Sequence, residues 1–528
     1  MNLTDRFQDL IDRGVAPTLD QLDALYDDAS AVGVDDVLGE WAGGVFGLGH
    51  PAEAQLEAIK WAGKSFGAAD DVAPIVCFDD AGRRFVNPIF GGASLRLTDY
   101  RGSATATMTY HELPMADHFR KISDTILIGA MEAPGQSRAG YFYLTRMDTT
   151  ERPRDPEFVS CEPARTADAA VLRAPGQPFE VTQVELESPR PDEVLVRIEA
   201  VGICHSDLVI AGMAQPQQLP MVLGHEGAGV IEAVGADVTD LQPGDHVVLS
   251  YAWCGECTNC RRDRMAYCSR SNMLNLTGAR LDGSGGMRIG TTPVHARFCG
   301  QSSFATYALA VAHTVVRVPK DVPFDVLAPL GCGVQTGAGT VLNALRPEPG
   351  SSIAVFAAGS VGLSAIMAAK VAGCERIIAV DPKPQRRELA VSLGATDAVD
   401  PAYARSAVRS GVDYAVDCIG KPESARAAIA SLASPGVCAV VGLQGLSTPI
   451  QVDLAKLVGK GQTLCGVVEG QAVPRRFIPT LIDLYRSGAL PVDRLITTFG
   501  LDEINDAIAA TQRGDVVKAV LLPAGPRR

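Results

Sequence analysis

The sequence predicts a multidomain chain: a small antiparallel β-barrel-like N-terminal domain, then a β-rich domain joined to an α/β, doubly wound parallel sheet. Three observations predict it. At 528 residues the chain exceeds one ordinary core. A Pro- and charge-rich stretch, DTTERPRDPEFVSCEPA, separates two regions of different grammar. From about Ser351 onward, strand and helix patterns alternate, as a parallel sheet requires.

The first region, residues 1–147, opens with a polar helical pattern. Short β-like runs follow at Pro74–Phe78, Ser94–Leu97, Ala104–Tyr110, Thr125–Met131 and Gly140–Thr145, punctuated by glycines. That grammar predicts a small antiparallel barrel or sandwich. Residues 148–165 read as a linker. Beyond it, strands are expected at Ala169–Leu172 and Glu193–Val201 among Gly-rich turns. The alternation then predicts a buried strand Ile353–Phe356, a helix Val361–Ala372, a strand Arg376–Val380 and a helix Gln385–Leu393. Two further strands are expected at Tyr414–Cys418 and Cys438–Val441.

Composition narrows the function. Hydrophobic residues make up 47% and charged residues 20%, a globular balance. The net charge is −14 with no basic block, so nucleic acid is not an expected partner. The polar start, Met1 to Asp12, lacks an apolar signal core. The most apolar stretch, Ile353 to Ala368, is broken by Gly and Ser and reads as strand, turn and helix rather than a membrane span. Most of the thirteen cysteines are clustered at metal spacing or isolated in apolar runs, so a reduced, cytoplasmic setting is expected.

Cys254, Cys257, Cys260 and Cys268 form C-x2-C-x2-C-x7-C. Four thiolates saturate a tetrahedral zinc and leave no position for water, so such a site clamps a loop and does no chemistry. An iron–sulfur cluster and four free buried cysteines are the alternatives. Cys204, His225 and Cys332 form a candidate Cys2His set with the fourth zinc position open. All three sit in Gly-rich turns. Asp207 is placed to hydrogen-bond the His225 imidazole. Glu226, beside that ligand, could swing onto the metal when the substrate position is empty. An ordinary turn or surface ion pair is the bland reading of both carboxylates.

Val355 to Gly362 reads V-F-A-A-G-S-V-G, a dinucleotide loop with Ala357 in place of its first glycine. Gly359, Ser360, Val361 and Gly362 follow at the expected start of a helix, whose N-terminal amides suit a pyrophosphate. A methyl at Ala357 is tolerable if φ stays negative. Asp381 ends the next expected strand, where a carboxylate accepts from both ribose hydroxyls and favours NAD over NADP.

From about Thr166 to Pro523 the chain resembles the zinc-dependent medium-chain dehydrogenase/reductase family, and within it the benzyl (aryl) alcohol dehydrogenases. The supporting residues are GICHSD (202–207), GHEGAGV (224–230), the cysteine cluster, GQSSFATYA (300–308), LGCGVQTGAG (330–339) and GVVEG…VPRRFIPTLIDLY (466–485). The resemblance implies a GroES-like catalytic domain at 166–334 and 470–528, with a Rossmann NAD-binding domain at 335–469. It implies two zinc ions: a catalytic one on Cys204, His225 and Cys332, and a structural one on the four clustered cysteines. His205, Thr336 and Lys518 match family positions that contact the cofactor. Ser206 is the expected acceptor of the alcohol proton. Many relatives continue the relay with a histidine five residues past the first cysteine ligand; here that residue is Val209, leaving the cofactor ribose and His205 as candidates. The expected activity is reversible, NAD-dependent oxidation of a benzylic or allylic primary alcohol to its aldehyde by a homodimer or homotetramer. Ser250, Tyr251 and Trp253 either line the substrate pocket or pack in the core or at the surface. A reductase-like or regulatory relative without the catalytic zinc is the rival reading.

Gly39-Glu40-Trp41-Ala42-Gly43, Trp61-Ala62-Gly63-Lys64, Tyr100-Arg101-Gly102 and Asp117-His118-Phe119-Arg120 resemble the family named for the GXWXG motif and its companion domain of unknown function. The Gly-x-Trp start is similar to lipocalin-like barrels by fold analogy alone. Such a barrel could bind the hydrophobic alcohol or aldehyde, convert it further as an isomerase or lyase, or assemble subunits. Trp41 and the acid–base candidates Tyr110, His111, Glu112, Asp117, His118 and Arg120 are its candidate site residues; solvent-facing polarity is the alternative for each of the latter.

Overall fold

The computed structural model describes residues 2–524 apart from 13–14, 50, 80–81, 112, 135, 137, 155–164 and 446–447. Two compact units divide the chain. Met1–Cys161 is the body of the first; Glu162–Ala214, Pro220–Gly278 and Gly285–Arg528 form the second.

The first unit is a closed barrel. Its eight barrel strands are Gly39–Val45, Trp61–Ala68, Asp71–Phe78, Ala93–Tyr100, Ser103–Tyr110, Ala116–Ser123, Ile126–Glu132 and Gly140–Arg146. Each pairs antiparallel with the next, and the last returns to the first, with Trp41 opposite Arg146. An up-and-down order with the ends paired leaves no sheet edge open in the ring. The five expected runs all fall on strands. Three barrel strands, Gly39–Val45, Trp61–Ala68 and Ala116–Ser123, went unpredicted because Gly, Lys, Asp and Arg break their alternation. The polar start forms the helices Leu3–Asp12 and Leu19–Asp28, the second opened by a Thr18–Gln21 capping box. Phe7, Leu22, Leu25 and Tyr26 from these helices pack with Phe46, Ile128 and Tyr141 of the barrel.

In the second unit, Glu193–Gly202 pairs antiparallel with Glu226–Val234 and Tyr307–Val311. It also pairs with Lys518–Leu522, so the C-terminal strand returns to the sheet that carries the candidate metal ligands. This curled sheet is the GroES-like part. A five-stranded antiparallel sheet includes Arg165–Leu172 and Glu180–Leu186, and the third sheet is wholly parallel. Its order is Asp397–Val399, Arg376–Val380, Ser352–Phe356, Val412–Asp417, Leu432–Val440, Gln462–Gly466. Chain order reverses at Ser352–Phe356, so the crevice beyond that strand's carboxyl end is the topological switch point. Helices Ser360–Val371 and Pro384–Leu393 match the expected ones within a residue. One continuous core runs from Ala200 and Val248 through Leu330 and Val334 to Val355 and Leu363. No helix among the described residues is long and apolar enough to cross a membrane.

Candidate metal and nucleotide site

Cys204 sits where Glu193–Gly202 ends and the helix His205–Met213 begins. Asp207, at the third helical position, accepts from the Cys204 backbone N–H at 2.9 Å through Oδ2. Its other oxygen accepts from Gly224 N at 3.0 Å and lies 2.9 Å from His225 Nδ1. One buried carboxylate thus caps the helix, fixes the turn before the next strand and turns His225 Nε2 away from itself. Gly224 has φ +90°, and a side chain there would collide with the Phe304 backbone. Cys332 lies at a sharp break, φ −144° and ψ −77°, between Ala328–Gly331 and the helix Gly333–Gly339.

The ligand atoms of Cys204, His225, Glu226 and Cys332 all lie within 4.8 Å of one another. Hydrogen bonding from Cys332 pulls the Cys204 thiol well below its ordinary range. Burial disfavours charge on His225, but the Asp207 carboxylate and nearby sulfurs raise its proton affinity well above the usual imidazole value. The pocket is built to hold positive charge, and two thiolates with one oriented imidazole fit zinc.

Glu226 has no exposed surface. Both its oxygens lie 2.8 Å from Lys518 Nζ, and Gly333 N donates to Oε1 at 3.0 Å. Burial, assisted by the Cys204 charge, pushes its pKa up to about 7 even though Lys518 opposes the rise. Movement of Glu226 onto a metal therefore requires breaking its pair with Lys518. Lys518 Nζ also donates to Ile203 O at 3.1 Å. A methyl on Gly333 would lie 3.3 Å from both Lys518 Nζ and Ser360 Oγ, which places the start of the nucleotide helix beside this pair. Ser360 Oγ is buried without a hydrogen-bond partner, an orphan that a cofactor phosphate fits.

Ser206 and His205 are exposed, and Ser206 Oγ is 3.9 Å from Cys204 Sγ. Thr336 is nearly buried, with Oγ1 3.5 Å from a Glu469 oxygen. Gly359 caps the helix that contains Ser360, Val361 and Gly362. Asp381 is fixed at both oxygens, accepting from Ala358 N at 2.7 Å and Lys383 N at 2.9 Å. One expectation fails: Ala357 has φ +77°, not a negative value. Its N–H is tied to Val380 O and the next N–H to Asp381, so the loop holds the left-handed turn despite the methyl.

The sulfurs of Cys254, Cys257, Cys260 and Cys268 also lie within 4.8 Å of one another. Backbone N–H groups of Cys254, Cys257, Cys260 and Arg270 point at these sulfurs from 3.4–3.5 Å. Against burial, such donors draw Cys257 down to about 5. Four converging sulfurs fit a closed structural zinc. Tyr251 and Trp253 pack against this cluster, while Ser250 Oγ donates to Gly331 O at 2.8 Å; all three are core rather than open surface.

Sequence reasoning missed Glu469. Its Oε2 accepts from Gln335 Nε2 at 2.9 Å, and Oε1 is 3.5 Å from Cys332 Sγ. Residues 469–471 all have positive φ, so a strained turn presents this carboxylate to the site, where burial raises its pKa. The signal was the acidic residue inside GVVEG.

The barrel candidates separate. Trp41 is fully buried, donates to Val37 O at 2.7 Å and carries the Arg146 guanidinium 4.3 Å from its ring centre. Arg120 donates to Tyr26 O and Asp27 O, capping the second helix. His118 stacks on Tyr100 at 3.7 Å and has Nδ1 2.9 Å from Thr107 Oγ1. Tyr110 and Asp117 meet Lys64, a second missed residue. His111 is exposed, and Glu112 lies outside the described residues.

The comparisons agree with this geometry. A model of the alcohol dehydrogenase GroES-like domain matches residues 190–320, and one of zinc-binding dehydrogenases matches 360–487. Geraniol dehydrogenase of Castellaniella defragrans is 44% identical over 365 residues, covering 68% of this chain and 98% of its own. The chain belongs to the zinc-dependent medium-chain dehydrogenase family. Solved members similar to this dehydrogenase include benzyl alcohol dehydrogenase from Acinetobacter calcoaceticus, at 44% identity and TM-score 0.65. It is covered over 99% of its length by 68% of this chain. A zinc-binding alcohol dehydrogenase from Burkholderia ambifaria shares 46% identity at TM-score 0.66, with 99% and 68% covered respectively. The N-terminal unit matches the GXWXG protein model at 24–82 and the Domain of unknown function (DUF4334) at 91–146. The protein is therefore an alcohol/aldehyde oxidoreductase fused to a GXWXG-type barrel.

Proposed function

We propose that the dehydrogenase unit oxidises benzylic or allylic primary alcohols to their aldehydes, reversibly and with NAD. The observation that carries this is the Cys204–His225–Cys332 set, oriented by Asp207 and beside the Ser360–Lys518 end of the nucleotide crevice. A bound zinc supplies Lewis acidity toward the alcohol oxygen, and NAD supplies the acceptor for two electrons. The chain does the rest. Ser206, beside Cys204, takes the hydroxyl proton, and exposed His205 passes it outward where Val209 cannot. Asp207 holds His225 in one tautomer. The rigidly held Asp381 carboxylate receives the ribose hydroxyls and disfavours a 2′-phosphate. Gly359, Val361, Gly362 and Thr336 shape the cofactor crevice. A similar geraniol dehydrogenase and a similar benzyl alcohol dehydrogenase support a conjugated primary alcohol as substrate.

The barrel binds or further converts the same hydrophobic metabolite in this reading. The exposed edge strand Gln462–Gly466, with Leu454, Val458 and Leu464 exposed around it, supports a homo-oligomer. The test is an NAD-linked screen of aromatic, terpenoid and short saturated alcohols on the full chain. Preference for the conjugated alcohols supports the proposal; use of saturated alcohols alone rejects it.

A further inference from the structure

We propose that the barrel interior is a second site, where Lys64, Asp117 and Tyr110 receive the carbonyl group of a conjugated aldehyde and Lys64 captures it as an iminium. It rests on the dehydrogenase reading only for the source of that aldehyde.

Three strands bring the groups together. Lys64, Tyr110 and Asp117 are 2%, 5% and 1% exposed. Lys64 Nζ lies 2.9 Å from Asp117 Oδ2, 2.9 Å from Pro74 O and 3.2 Å from the Tyr110 hydroxyl. Tyr110 donates to the same Asp117 oxygen at 3.3 Å. Asp117 Oδ1 is buried and accepts nothing. As a fastening, this is a poor choice. A buried ion pair seldom beats apolar side chains of the same volume, and an unmet carboxylate oxygen adds to its cost. The water released when an amine captures a carbonyl would satisfy that oxygen.

The surroundings suit a flat apolar ligand with one polar end. The rings of Phe142, Tyr110 and Trp61 lie 5.0, 5.5 and 5.9 Å from Lys64 Nζ. Trp61 is only part-buried. That ring occupies the place of a side chain at Gly43, where a Cβ would come within 2.4 Å of it. One register shift precedes Lys64, between Trp61 and Gly63, and a second spans it, between Gly63 and Ser65. Pro74 on the paired strand has no N–H to complete the ladder, and its carbonyl turns to Lys64 instead. Bulges of this kind re-aim a side chain.

The chemistry balances without an oxidant or reductant. Lys64 gives one ammonium proton to Asp117. The amine lone pair forms a C–N bond to the aldehyde carbon as the carbonyl oxygen takes the Tyr110 proton, and Tyr110 regains a proton from the nitrogen. The oxygen then leaves as water with the proton held on Asp117, breaking the C–O bond. Net, ammonium and aldehyde give iminium and water. Burial keeps Tyr110 protonated until it is needed. The positive charge of the iminium then lies beside the re-ionised Asp117 and the aromatic faces.

The experiment treats the full chain with cinnamaldehyde and cyanoborohydride, without NAD, and maps labelled lysines by peptide mass spectrometry. Lys64 is expected to be labelled at least about tenfold faster than the exposed Lys456 and Lys460, through orientation of the bound aldehyde. The label is expected to vanish in Lys64→Arg and to slow at least about tenfold in Asp117→Asn. Unlabelled Lys64 beside labelled exposed lysines in the wild-type protein would overturn the proposal, whatever the variants do. Because the aldehyde is added directly, labelled Lys64 with no NAD-linked oxidation would reject the dehydrogenase reading alone.

Discussion

Two buried ionic clusters in this chain meet the same electrostatic demand in opposite ways. Around Cys204, His225 and Cys332 the donors converge on a point that a cation from solution can fill. Around Asp117 the chain supplies the cation itself, as Lys64 from the strand on the opposite side of the barrel. A buried anionic group needs a positive partner in either case. In the function proposed above, the first arrangement leaves a coordination position for chemistry at a metal. The second leaves an ion-paired ammonium and one unmet carboxylate oxygen. The two clusters therefore answer to different perturbations.

The largest separation is expected from Cys204→Ser. NAD-linked oxidation should fall by at least about a thousandfold, the scale of several kcal/mol of lost charge stabilisation. Thermal unfolding of the barrel, followed by its tryptophan signal, should not move. Ser206→Ala is the next step down. Turnover should drop about a hundredfold while zinc content holds, because only a proton acceptor is removed; unchanged turnover would remove Ser206 from the mechanism. Trp41→Ala reverses the comparison. It should cost the barrel about 3–5 kcal/mol through the cavity left under Arg146, read by calorimetry, with zinc content unaltered.

The smallest effect is a pH dependence confined to the barrel's helical cover. Burial raises Asp23, but hydrogen bonds from Tyr141, Arg138 and Arg101 more than offset it and hold the carboxyl at about 2. A depressed carboxylate contributes stability above its ordinary value of 3.8 and loses it as pH falls through about 2. Solvent screening limits the contribution to about 1 kcal/mol. Asp23→Asn should flatten barrel stability across that window in acid melts.

The two clusters also differ in how far the sequence exposed them. Four cysteines within one short loop announce a metal because their spacing is local. Cys204, His225 and Cys332 are farther apart, yet each stands in a Gly-rich turn with acidic company. Lys64 and Asp117 lie on strands whose charges break the alternation that marks a strand, and only barrel closure brings them together. Ala357 shows the same limit in the parallel sheet. Its positive φ is imposed by hydrogen bonds from its loop to the next strand, Val380 and Asp381, which no local pattern displays. Glu469 was visible only as a letter in GVVEG; the turn that aims it is tertiary. The fold of the second unit was legible nearly element by element because βα alternation is periodic, as Arg376–Val380 shows.

The most direct measurement is anomalous diffraction at the zinc edge on crystals of the full chain grown with zinc at stoichiometric excess. The account predicts two peaks per chain, one among the four clustered cysteines and one bounded by Cys204, His225 and Cys332. A single peak at the cysteine cluster, with the second set of side chains turned apart, would contradict it.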